Sequence, residues 1–210
     1  MSRTKQIKYD AFKSDPKCFS YYWGEDKTDL INTINSLAEG RKIFVELCAG
    51  YCDYSLEFAR NHKDYLCIAV DIKEDRLYSG LRVAKEEELD NFICLRLNIS
   101  HLSEVFENYI DLIYLVHPDP QVNNKRKRLN QPKYIKSYES ALKQSGQIVL
   151  ITDNNDFYNE YLENNHLGII NSTFNAELEL SEIKILPTRY NQKFINLDNN
   201  TKVGLFIKSV

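Results

Sequence analysis

The chain has 210 residues, with 27 Lys and Arg against 30 Asp and Glu, a formal charge of −3. Hydrophobic residues make up 43% and charged residues 27%, which excludes a disordered chain, and no apolar run approaches the roughly 20 residues that span a bilayer. The length predicts one domain with a real core, and the mildly acidic total admits a nucleic-acid partner only where basic charge is concentrated locally.

The first such concentration is at the start: Arg3, Lys5, Lys8, Lys13 and Lys17. This stretch has no apolar h-region, so no secretory signal is expected. We read residues 1–28 as a basic N-terminal arm and residues 29–210 as a single domain. Tyr21, Tyr22 and Trp23 form an aromatic cluster, read as packing in preference to base stacking. Leu30, Ile31, Ile34, Leu37 and Ala38 have helical spacing, and Gly40 is placed to stop that helix.

From Lys42 to Thr152 short apolar runs alternate with helical patterns. Ile43–Leu47, Tyr65–Val70, Phe92–Leu97, Leu112–Val116 and Ile148–Ile151 have strand length without clean alternation, as expected of strands buried on both faces. Leu77, Leu81 and Ala84 mark one intervening helix. Tyr134, Ile135, Tyr138, Ala141 and Leu142 mark another, with Pro132 suited to its first turn. In the tail, Phe174 to Leu180 alternates and Val203 to Ile207 is apolar, which predicts an antiparallel strand pair closing the sheet. The fold class is therefore α/β, Rossmann-like, a mainly parallel sheet with helices on both faces. The cysteines number five, and Cys67 and Cys94 lie inside apolar runs. A disulfide framework is not expected, and a reducing cytoplasm is.

In such sheets ligands bind beyond the carboxyl ends of the strands. The first strand leads into Glu46-Leu-Cys48-Ala-Gly50-Tyr-Cys52-Asp53. An acid and a small-residue loop before a helix suit a nucleoside cofactor, although Glu46 as a surface acid and the cysteines as packing residues read equally well. Cys-x-x-x-Cys without a second ligand pair predicts no metal site. Asp71 ends the second strand about 20 residues on, where an acid accepts from ribose hydroxyls. Asn98 follows the third. After the fourth comes His117-Pro118-Asp119-Pro120-Gln121: two prolines around one carboxylate make a rigid mount for a functional acid, or a stiff turn. Lys125-Arg126-Lys127-Arg128 in the same loop suits a phosphate backbone. Asp153 follows the fifth strand.

Together these residues resemble the tRNA (guanine-N7)-methyltransferase family, from about Lys42 to Tyr161. The most specific segment is His117-Pro-Asp-Pro-Gln121 with Lys127-Arg128-Leu129. Val70–Lys73, Leu95–Ile99, Thr152-Asp153 and Thr188-Arg-Tyr190-Asn191 are similar to family motifs as well. The resemblance implies a methyltransferase using S-adenosylmethionine, acting on N7 of guanosine 46 in the tRNA variable loop. It implies that Glu46, Gly50, Asp71, Asn98 and Asp119 contact the cofactor and that Asp119 is the catalytic-site acid. Asn123, Asp153, Thr188, Tyr190 and Asn191 would hold the target nucleotide. Lys125, Arg126, Lys127 and Arg128, with the arm, would grip the RNA backbone. The expected partner is tRNA, with no membrane, and the expected assembly a monomer or homodimer. The chain departs from the family pattern at Cys48 and Cys52 (glycines there), His117 (Phe), Asn123 (Lys) and Asn191 (Glu). A side chain at 48 or 52 is placed to crowd the cofactor's methionine end. A non-catalytic or reduced-activity RNA-binding relative, and a methyltransferase for another substrate, stay open as alternatives.

Overall fold

A computed structural model describes residues 3–165, 168–173, 186 and 201–208. The elements in chain order are α1 (Arg3–Ser14), β1 (Cys18–Ser20), α2 (Thr28–Ala38), β2 (Lys42–Leu47), α3 (Asp53–Asn61), β3 (Tyr65–Asp71), α4 (Glu74–Glu86), β4 (Phe92–Arg96), α5 (Leu102–Val105), β5 (Ile110–Val116), α6 (Pro132–Ala141), β6 (Leu142–Thr152), α7 (Asn155–Asn164), β7 (Gly168–Thr173) and β8 (Lys202–Ile207). Among the described residues the strands form one sheet in the order β1-β4-β3-β2-β5-β6-β8-β7. Strands β1 to β6 pair in parallel and β8 pairs antiparallel with both β6 and β7. The final apolar run is thus β8, paired with Gly168–Thr173. The alternating segment 174–180 lies outside the described residues.

The continuous apolar runs are explained by two covers. In β2, Ile43, Val45 and Leu47 pack on one face with Ile34 of α2, Leu102 of α5, Tyr138 of α6 and Phe157 of α7. Phe44 packs on the other with Phe12 of α1, Phe58 of α3 and Leu81 of α4. Alternate side chains of one strand therefore enter different cores, and both faces are covered. Each fully buried Leu or Ile contributes about 2 kcal/mol.

Local signals set several boundaries. Pro132 occupies the first turn of α6, where its missing N–H costs nothing. Helix α2 stops through two left-handed residues, Glu39 and Gly40, at φ 50° and 81°. The N-terminal segment is docked: Phe12 is buried, Lys5 pairs with Asp75 at 3.6 Å, and Lys8 donates to Ser79 at 2.8 Å. Strand β1 then extends the sheet, with Ser20 opposite Arg96. No helix among the described residues is long and apolar enough to cross a membrane.

The topology locates the site. The chain runs outward from β2 through β3 and β4, then returns to place β5 on the other side of β2. The order reverses between β2 and β5, so the crevice opens between the loops that follow those two strands.

Candidate active site

The loop after β2 follows a path made for glycine. Cys48, Gly50 and Cys52 have φ of 63°, 53° and 67°, a region that β-carbon-bearing residues rarely enter. Cys52 is fully buried. Its thiol lies 4.0 Å from the Leu77 carbonyl, over a hole in α4. A β-carbon on Gly80 would come within 2.5 Å of Cys52 Sγ and 2.8 Å of the Tyr51 carbonyl. Cys48 is half-buried and packs against the core that contains Tyr138. Burial pushes both thiols up, so neither is a ready nucleophile.

Two carboxylates hold this loop. Glu46 is 2% exposed. Its Oε2 accepts from the Ser55 amide at 2.7 Å and from the Ser55 hydroxyl, which ties β2 to the first turn of α3. Burial raises its carboxyl to about 8, against the pull of those two hydrogen bonds. Asp71, at the end of β3, accepts from the Gly50 amide and from the Lys73 amide, each at 2.9 Å. Each oxygen keeps a lone pair for a further donor. Asn98 is exposed at the end of β4, its Oδ1 accepting from the Ser100 amide at 3.1 Å.

The loop after β5 faces the first across the crevice. Asp119 is exposed between its two prolines, and its Oδ1 accepts from the Gln121 amide at 2.9 Å. His117 and Gln121, just outside the prolines, have φ of 39° and 45°. The His117 amide donates to the Ile151 carbonyl at 2.8 Å, which fixes the loop to β6. Its Nδ1 stands 3.8 Å from Asp153 Oδ1. That imidazole holds the Asp153 carboxyl below the usual range, so Asp153 is ionised at neutral pH. The carboxylates of Glu46, Asp71, Asp119 and Asp153 thus all stand at carboxyl ends of adjacent strands, the first of them sealed inside.

Comparison with known proteins identifies the family and the fold. A family model described as a putative methyltransferase matches residues 40–203. The tRNA (guanine-N7)-methyltransferase of Mycoplasmopsis pulmonis is 32% identical over 74% of this chain and 79% of its own. That of Christiangramia forsetii is 34% identical over 65% of this chain and 60% of its own. This chain belongs to the tRNA (guanine-N7)-methyltransferase family. Among solved structures, the 16S rRNA methyltransferase KamB superposes with a TM-score of 0.66 at 12% identity, over 85% of this chain and 94% of that one. The fold is that of class I methyltransferases.

Within this family member the basic loop divides. Lys125, Arg126 and Lys127 form a short exposed turn beside the exposed Asn123. Lys125 also reaches Glu160 at 3.2 Å. Arg128 departs from the expected grip on the RNA backbone. It is 2% exposed, because its guanidinium is committed to the Pro120 carbonyl at 2.6 Å and to Glu160 at 2.7 Å. The N-terminal cations divide as well, since Lys5, Lys8 and Lys17 turn to groups on and after α4. Trp23 departs from the packing reading too. Tyr21 is buried in the core, but Trp23 is 76% exposed. Thr188, Tyr190 and Asn191 lie outside the described residues.

Ser55, Gly80, Asn130 and Glu160 support the site and were not singled out from sequence. Gly80 had a signal, since a glycine inside a helical pattern costs about 1 kcal/mol against Ala and marks close packing. The others had none, because each is an ordinary polar residue on a helix or loop.

Proposed function

We propose that this protein transfers the methyl group of S-adenosylmethionine to N7 of a guanosine in tRNA, at position 46 of the variable loop. The observation that carries the reading is the pairing, at the switch point of a chain of this family, of a glycine-conformation loop with a rigidly mounted acid. The loop keeps the glycine-type path that suits the cofactor, and Cys52 does not block it. The Cys52 sulfur is taken up by the gap over Gly80, the backbone keeps its left-handed turns, and Asp71 pins the Gly50 amide. This removes Cys52 from the support for the non-catalytic alternative, which rested on Cys48, Cys52 and Asn191 together.

In this reading Asp71 accepts from the ribose hydroxyls and Asn98 meets the adenine edge. Gly50 lets the ligand approach the backbone, and Glu46 acts from behind by holding the turn. The bound cofactor supplies an electrophilic sulfonium methyl. N7 of guanine offers an in-plane lone pair and carries no proton, so no strong general base is required. With the cofactor bound, its sulfonium would release the methyl to N7 and leave as the thioether, and the purine would take on positive charge. Asp119, fixed at the crevice, stabilises that charge electrostatically. Much of the rate comes from holding the two reacting atoms in line.

Asp153, ionised at neutral pH, accepts from the N1–H and N2–H₂ edge of the guanine. Asn123, Thr188, Tyr190 and Asn191 are assigned to holding the target nucleotide. Lys125, Arg126 and Lys127 meet the phosphate backbone. We assign residues 1–28 to the RNA through their exposed cations and residues 29–210 to catalysis, with α1 and β1 packed into the same core and sheet as the catalytic residues. The matching cellular location is the cytoplasm.

Calorimetry with S-adenosylhomocysteine, paired with transfer of labelled methyl to an unmodified tRNA pool, tests the reading. Binding of the product analogue and tRNA-dependent transfer are expected. Binding without transfer to tRNA would move the substrate elsewhere. Absence of both would return the protein to the non-catalytic alternative.

A further inference from the structure

A buried guanidinium is costly unless it is paired and fully hydrogen-bonded. Arg128 is paired with a carboxylate and hydrogen-bonded to a carbonyl inside the protein. Its Nη1 donates to Glu160 Oε1 at 2.7 Å and its Nε donates to the Pro120 carbonyl at 2.6 Å. Glu160 Oε2 accepts from Asn130 Nδ2 at 3.2 Å, and that nitrogen also donates to the Phe157 carbonyl at 2.9 Å. The node is therefore anchored to α7. Burial pushes the Glu160 carboxyl up, but hydrogen bonds from Arg128, Asn130 and Lys125 outweigh it and hold the group below its ordinary value.

The carbonyl that Arg128 holds belongs to the residue immediately after Asp119. The His117 amide ties the start of that segment to β6, and the stretch beyond it needs a further tether. Pro118 and Pro120 have no N–H to donate, and the flanking His117 and Gln121 sit at positive φ. Such a backbone persists only where its surroundings over-determine it. We propose that Arg128, clamped by Glu160, is the positioning residue that fixes Asp119 for methyl transfer, and that it is not a phosphate ligand. The inference rests on the reading of Asp119 given above.

Arg128→Lys tests it. Lysine keeps the charge but replaces a planar fork serving two acceptors with a point donor. The expected result is a fall in kcat of about 10- to 100-fold. KM for tRNA and for S-adenosylmethionine, and the slope of tRNA affinity against salt, stay at wild-type values. Glu160→Gln keeps an acceptor and removes the charge. It gives a smaller fall in kcat with the same split, and it carries the test if Arg128→Lys melts below the assay temperature. Faster hydrogen exchange at the Gln121 amide is expected in both. Wild-type kcat in either folded variant would overturn the proposal. So would weakened tRNA binding with a shallower salt slope at retained kcat, which would make Arg128 a phosphate ligand after all. Failure of the underlying reading is distinguishable: Asp119→Ala would then keep its kcat, whatever Arg128 does.

Discussion

The loop after β2 and the loop after β5 each force two non-glycine residues into the left-handed region. In the first they are Cys48 and Cys52, at φ 63° and 67°; in the second, His117 and Gln121, at 39° and 45°. Strain of this kind costs about 1–3 kcal/mol per residue, and the two loops offset it differently. The first uses shape: a small thiol fits over Gly80, and two carboxylates take up the loop and helix amides. The second uses charge: a buried Arg128–Glu160 pair grips the Pro120 carbonyl in a segment whose two prolines have no N–H to donate. The first loop should therefore be sensitive to added volume and the second to altered charge. The same contrast separates their tasks. One loop must let a ligand approach its backbone, and the other must hold a single carboxylate still.

The largest expected effect breaks the second loop at its functional end. Asp119→Ala should reduce kcat by about 100-fold or more, while tRNA affinity measured by filter binding is retained. Equal losses of binding and rate would make Asp119 a substrate-binding group instead.

Next is the volume test of the first loop. Gly80→Ala places a β-carbon 2.5 Å from Cys52 Sγ and 2.8 Å from the Tyr51 carbonyl, so it should destabilise by about 1–3 kcal/mol in chemical denaturation. Adding Cys52→Gly should restore part of that loss. No recovery in the double variant would show that the thiol does not fill the gap.

The third test uses pH. Glu46 has its carboxyl raised from 4.5 to about 8 in the folded protein. Between those values the folded state keeps a proton that the unfolded chain releases. The stability it contributes is therefore complete below about pH 4.5 and falls as pH rises toward 8. Glu46→Gln should flatten this part of the Tm profile. An unchanged profile would mean that Glu46 is ionised in the fold.

The smallest effect separates neighbours within the basic run. Replacing the exposed Arg126 and Lys127 by Gln should lower the slope of log affinity against log salt by about 2, roughly one for each phosphate left without its cation. An unchanged slope would remove both from the RNA interface.

How much of this was legible in the sequence follows from where each signal resides. Strands buried on both faces announce themselves as unbroken apolar runs, and acids at their carboxyl ends are found by counting from those runs. That reasoning located Glu46, Asp71, Asp119 and Asp153. It did not separate them by exposure, because sealing Glu46 inside depends on Ser55, which the next helix brings back over the strand. Strand β1 carries three residues and no period, so nothing local marks it. Arg128 reads like its cationic neighbours because its partner Glu160 stands 32 residues further on. Only the packing of α7 brings the two together. Tyr21 and Trp23 are equally aromatic on paper, and the edge of the sheet buries one and leaves the other in solvent.

The most direct test of the central claim is nucleoside mass spectrometry of unmodified tRNA incubated with the pure protein and S-adenosylmethionine. The account predicts 7-methylguanosine, mapped to position 46 of the variable loop and absent with Asp119→Ala. The appearance of no methylated nucleoside, or of a methylated base other than 7-methylguanosine, would contradict it.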